Sequence, residues 1–168
     1  MPEVNPSYPT RRLFMTGGVV AVSAGGLFAA NWFNVFADTS GGDKLSVTEA
    51  HRQAEAGQIY LIDIRRPDEW KRTGIAAPAL PLDMRRKDFE EVLQSLIASG
   101  GDKPVALICA RGVRSAHMDK RLRANGFTSI IDVPEGMLGS GAGPGYLKEN
   151  LPLRAATVME LAGKVALL

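Results

Sequence analysis

The residues best able to do chemistry lie together in the order Cys109, Ala110, Arg111, Gly112, Val113, Arg114. Cys109 is the one cysteine in 168 residues, so an internal disulfide and a thiolate metal cluster are both closed to it. At the end of an apolar run such a residue is either core filler or a nucleophile. Its neighbours favour the nucleophile. Gly112 permits a tight backbone path, two arginines add positive charge, and a segment of helical composition begins at once. The main-chain N–H groups of a helix start should therefore point into the loop. A nest of amides of this kind holds anions and favours thiolate over thiol. The expectation is a cysteine of depressed pKa, partly exposed at a cleft floor, ready to attack an anionic electrophile and then to hold a sulfur anion.

Such a loop needs a strand that ends at Cys109 and a helix that starts behind it. Pro104 to Ala110 reads as a buried strand and Ser115 to Asn125 as the helix, closed by Gly126. Upstream, the spacing predicts a helix over Thr48 to Ala56, a β-branched apolar strand over Ile59 to Ile64, and a short strand within Ala79 to Met84 that Pro81 confines to an edge or bend. A helix follows over Arg86 to Gly101, with Phe89, Val92, Leu93 and Leu96 on one face. Ser129 to Val133 reads as the last strand. Strands alternating with helices predict an α/β fold, a central, mostly parallel sheet with helices on both faces. In such sheets ligands bind beyond the carboxyl ends of the strands, which is where Cys109 falls.

The Cys109 to Arg114 loop resembles the active-site loop of the rhodanese family of sulfurtransferases: Cys, two residues, Gly, one residue, Arg. "LIDIRRPDEW" is similar to the family's Asp-x-Arg strand and acidic-aromatic helix start, and "SIIDVPEGMLGSGAGPGYLKENLPL" to its closing strand and Gly-rich segment. The likeness runs over residues 45–153. It implies one rhodanese-like domain that works without a cofactor. Cys109 would take a sulfane sulfur from a small anionic donor such as thiosulfate, release sulfite, and pass the sulfur to a thiol, to cyanide or to a sulfur-accepting protein. The resemblance assigns the persulfide cradle to the amides of Ala110, Arg111, Gly112, Val113 and Arg114. Arg111 would orient the donor, and Arg114 would close the loop by binding the donor or a structural carboxylate. Asp63 and Arg65 would brace the loop as an ion pair. Two departures stand out. Gly74 to Ala79 lacks the family's histidine, and Glu135 stands where many relatives have glycine, where a carboxylate beside the cleft would weaken binding of a dianionic donor.

The amino terminus reads as an address. Arg11 and Arg12 precede 25 uncharged residues, Leu13 to Ala37, and Val35-Phe36-Ala37 offers a peptidase site before Asp38. Thr10 to Met15 resembles the bacterial twin-arginine export motif, which implies delivery of a folded protein to the periplasm. The alternative is an uncleaved anchor in the inner membrane with the domain facing the periplasm; in both cases the membrane is met only through the export signal. The expected organisation is a signal peptide over 1–37, a linker over 38–44, the domain over 45–153 and a tail over 154–168.

Charge and histidine spacing exclude other classes. Outside residues 1–37 the net charge is close to zero, and the doublets Arg65-Arg66 and Arg85-Arg86 sit beside Asp68, Glu69 and Asp88; a nucleic-acid face would need unmatched cations. His51 and His117 have no ligand-type spacing, so no metal is expected. His117 lies about two helical turns beyond the loop and should face solvent, while Met118 and Leu122 share a face and should be core. Two other functions use the same loop. A phosphatase places five residues between Cys and Arg to cradle a tetrahedral phosphate, against four here. A non-catalytic persulfide relay would hold sulfur for one partner and turn over small donors slowly.

Overall fold

The computed structural model describes residues 42–162. The expected signal peptide and most of the expected linker lie outside the described residues. The first sheet strand is β1, Asp43–Lys44, which pairs with Ile131 and Asp132 and so draws the end of the expected linker into the fold. Helix α1, Val47–Glu55, opens on Ser46, whose hydroxyl accepts the Glu49 amide at 3.3 Å, a standard N-cap. Strand β2, Tyr60–Asp63, ends just before Pro67, whose fixed φ suits the first turn of α2, Pro67–Thr73. Two short strands follow, β3 at Ile75–Ala76 and β4 at Leu80–Pro81. Then come α3 (Phe89–Ser99), β5 (Val105–Ile108), α4 (Val113–Ala124), β6 (Ile130–Val133), β7 (Leu153–Arg154) and α5 (Val158–Leu161).

The main sheet has the order β1-β6-β5-β2-β4, and every pairing in it is parallel. Pro81 sits on the edge strand, where its missing N–H breaks no ladder. Side chains alternate across the sheet. Leu61, Ala106, Ile108 and Val133 pack on one face with Val47 and Ala50 of α1 and Trp70 of α2. Ile62, Val105, Leu107 and Ile130 pack on the other with Phe89 and Leu93 of α3 and Met118 and Leu122 of α4. The expected α/β architecture, a parallel sheet covered on both faces, is thus observed.

A second, two-stranded sheet joins β3 to β7 antiparallel, with Ile75 opposite Arg154. Arg154 then reaches the carboxylate of Glu160 on α5 at 2.8 and 3.0 Å, so the start of the expected tail belongs to the folded unit. Among the described residues, no helix is long and apolar enough to cross a membrane.

Candidate active site

All strands of the main sheet run the same way, so β5 brings Cys109 to the edge where β2, β4 and β6 also end. Gly112 takes φ 80° and ψ −24°, a left-handed turn that a residue with a Cβ resists. That turn lets α4 begin at Val113, two residues before Ser115, and brings the helix start directly behind the sulfur. The loop is clamped from outside by main chain: Met137 N donates to Cys109 O at 2.8 Å and Leu138 N to Ala110 O at 2.9 Å. The approach is so close that a Cβ on Gly136 would stand 2.7 Å from the Ala110 carbonyl carbon.

Cys109 is 1% exposed, against the expectation of a partly open thiol. The reason is the strand period: Cys109 follows Val105 and Leu107 onto the apolar face and packs with Met118 and Leu122. Its sulfur lies 3.6 Å from the Ser115 hydroxyl, which itself donates to Gly112 O at 3.0 Å. Ser115 was not singled out from the sequence, although a hydroxyl in the first turn of the helix behind a nucleophile is a signal that could have found it.

The two loop arginines diverge. Arg114 takes the carboxylate option: its Nη1 and Nη2 each meet a Glu69 oxygen at 2.7 Å. Burial pushes the Glu69 carboxyl up, but the Arg114 hydrogen bonds and the Arg66 amide outweigh it and bring the group down to about 2. Arg114 and Glu69 line a cleft of about 380 Å³ together with Arg66, Arg85 and Met84, so three arginines meet there. Arg111 is exposed and turns to the opposite wall, donating to Gly139 O at 3.3 Å, beside a second opening of about 460 Å³ that also holds Leu138, Ser140 and Lys148.

Asp63 and Arg65 are buried, at 0% and 1% exposure, and form a side-on pair with Nε–Oδ1 at 2.9 Å and Nη2–Oδ2 at 2.7 Å. This is no surface ion pair. Arg65 also donates to Thr73 Oγ1 at 2.7 Å and Gly74 O at 2.8 Å, so its hydrogen bonds brace the exit of α2 and not, as expected, the Cys109 loop. The Glu135 side chain lies against Gly143, which lines the opening beside Arg111, and burial pushes its carboxyl up. His117 is exposed, and Met118 and Leu122 are core.

A strand-end sulfur, a left-handed glycine and a helix start are the parts of a loop that binds anions and stabilises a sulfur anion. Comparison with known proteins agrees. The rhodanese-like domain matches residues 46–139. The Bacillus subtilis protein YqhL is 33% identical over 92 residues, 54% of this chain and 68% of the relative. The Rickettsia prowazekii protein RP600 is 27% identical over 100 residues, 55% and 80% of the two chains. Among solved structures, the polysulfide-sulfur transferase homodimer of Wolinella succinogenes is 28% identical with a TM-score of 0.51, covering 86% of this chain and 95% of that one. A Rhodopseudomonas palustris protein described as a possible tyrosine phosphatase is 19% identical with a TM-score of 0.50, over 88% and 100%; that likeness is one of fold.

Proposed function

The chain belongs to the rhodanese-like domain family, and on that premise we propose that it is a sulfurtransferase with Cys109 as the sulfur carrier. The observation that carries the reading is the loop itself: Cys109 at the end of β5, Gly112 left-handed, and α4 starting at Val113. The Cys109 thiolate attacks the outer sulfur of a donor, the sulfur–sulfur bond of the donor breaks, and the leaving group departs as sulfite from thiosulfate or as a shortened chain from polysulfide. A thiolate or cyanide then attacks the outer sulfur of the persulfide and regenerates Cys109. The amides from Ala110 to Arg114 hold the charge. Arg114 is occupied by Glu69, as Arg66 is by Asp68 and Arg85 by Asp83, so donor capture falls to those amides.

The buried sulfur favours slim donors. A linear polysulfide suits this approach, and the Wolinella succinogenes likeness supports testing it beside thiosulfate. Four residues between Cys109 and Arg114 argue against a phosphate cradle. The leader that resembles a twin-arginine signal supports a periplasmic site of action, with an inner-membrane anchor as the other outcome; fractionation of cells expressing the full chain separates them.

Incubation with thiosulfate or polysulfide, followed by cyanide, tests the activity. Thiocyanate formation that disappears in Cys109→Ala is the expected result. A persulfide that forms but turns over slowly would make the protein a relay, and a chain that never gains a labile sulfur would overturn both readings.

A further inference from the structure

The opening beside Arg111 has no part in the chemistry above. It holds about 460 Å³, within the range of small-molecule sites, roughly 300–1,000 Å³. That is far more than the few heavy atoms of thiosulfate or cyanide fill at roughly 30 Å³ or less apiece. Two of its lining residues carry charge, Arg111 and Lys148, and both are positive. Arg111 Nη1 donates to Gly139 O at 3.3 Å, which holds the guanidinium on this wall. The Lys148 amide donates to Gly145 O at 2.9 Å, and its exposed ammonium has no carboxylate partner among the described residues. Leu138, 43% exposed, and Pro144 add apolar surface. The wall is braced from within: Ser140 and Gly143 exchange main-chain bonds at 3.1 and 3.2 Å, and Ser140 Oγ donates to Pro134 O at 2.8 Å. Glu135 stands behind this wall, its Cγ 3.2 Å from where a Gly143 Cβ would be, and does not line the opening. The opening also adjoins the sulfur loop, since Arg111 follows Cys109 by two residues and Leu138 N donates to Ala110 O at 2.9 Å.

We propose that this opening is the acceptor subsite and that it takes a small thiol bearing a carboxylate, with the carboxylate held by Lys148 and Arg111 and the sulfur turned to the Cys109 loop. The inference rests on the sulfurtransferase reading and names the acceptor class within it. The acceptor thiolate attacks the outer sulfur of the Cys109 persulfide, and the bond between the two persulfide sulfurs breaks. The outer sulfur leaves on the acceptor with its proton, and Cys109 returns as thiolate; no oxidant or reductant is consumed. A small thiol also suits the depth of Cys109, which is 1% exposed, whereas the cysteine of a folded protein would have to bring its Cα within about 7 Å. Lys148 touches the carboxylate and not the reacting sulfurs. It is a binding residue, and its loss is felt in KM more than in kcat.

The full chain, Lys148→Gln and Lys148→Arg are compared in two ways. The first uses N-acetylcysteine and its amide, alike but for the carboxylate, as acceptors after loading with thiosulfate or polysulfide. Lys148→Gln is expected to raise the KM of the acid about three- to fivefold relative to that of the amide, and Lys148→Arg to restore most of the difference. Added salt should narrow the gap between acid and amide in the native chain. An acid-to-amide KM ratio that is the same in the native chain and Lys148→Gln overturns the proposal, as does a fall in kcat in place of a rise in KM. The second is calorimetry with the S-methyl derivatives of the same pair, whose thioethers accept no sulfur. The acid should bind the native chain and Lys148→Arg more tightly than the amide does, and Lys148→Gln should lose most of that preference. Equal binding of acid and amide to the native chain overturns the subsite even where sulfur is transferred. If the chain never gains a labile sulfur, the sulfurtransferase reading fails and the S-methyl pair alone decides whether the opening holds a carboxylate.

Discussion

Two carboxylates flank the central strand, one on each neighbour, and the molecule treats them in opposite ways. Asp63 of β2 lies opposite Ile108, and Asp132 of β6 lies opposite Leu107; both are buried. Asp63 is satisfied by the Arg65 amide at 3.1 Å and by the Arg65 guanidinium. Asp83, at the end of β4, repeats the device with the Arg85 amide and Nε, both at 3.0 Å. Asp132 has Pro134 two residues on, which offers neither an N–H nor a charge. The same acid, two residues from an arginine or from a proline, is fully paired in one place and keeps an unpartnered oxygen in the other.

The largest expected effect comes from breaking the satisfied side. Arg65→Met leaves Asp63 buried without its cation and should destabilise the domain by about 3–5 kcal/mol, read from urea unfolding at neutral pH; a loss under about 1 kcal/mol would mean that the two acids are not so different. Next is the pH slope on the unsatisfied side. The Asp132 carboxyl is raised from 3.8 to about 6, so its contribution is full below about pH 4 and is lost as pH rises through about 6, a fall of about 2–3 kcal/mol. Asp132→Asn should flatten that part of the stability profile. The smallest effect, of reversed sign, lies at Glu69, lowered from 4.5 to about 2. Its pairing stabilises above about pH 4.5 and fades as pH falls through about 2. Glu69→Gln should cost about 1–2 kcal/mol at neutral pH, and its unfolding curve should approach that of the native chain in acid.

Much of this was legible in the chain, and the limits have physical causes. The apolar runs of β2 and β5 and the one-sided face of α3 carry strong periodic signals, and they appear where the pattern puts them. Strands β1, β3 and β7 have two residues each, too few for any period, and exist only because a distant partner is present. The Cys109 loop is contiguous and could be read from types and spacing. Glu69, 45 residues from the arginine it binds, and Asp132, brought beneath α4 by the sheet, leave no local trace. The burial of Cys109 is itself readable in the chain, since counting by twos from Val105 leads to the apolar face.

The depth of Cys109 has a further consequence. A disulfide with another chain requires the two Cα atoms to come within about 7 Å, and a sulfur 1% exposed beneath a clamped loop denies that approach to any folded neighbour. A bulky disulfide is turned away, and the packing that buries the lone cysteine thus shields it from cross-linking.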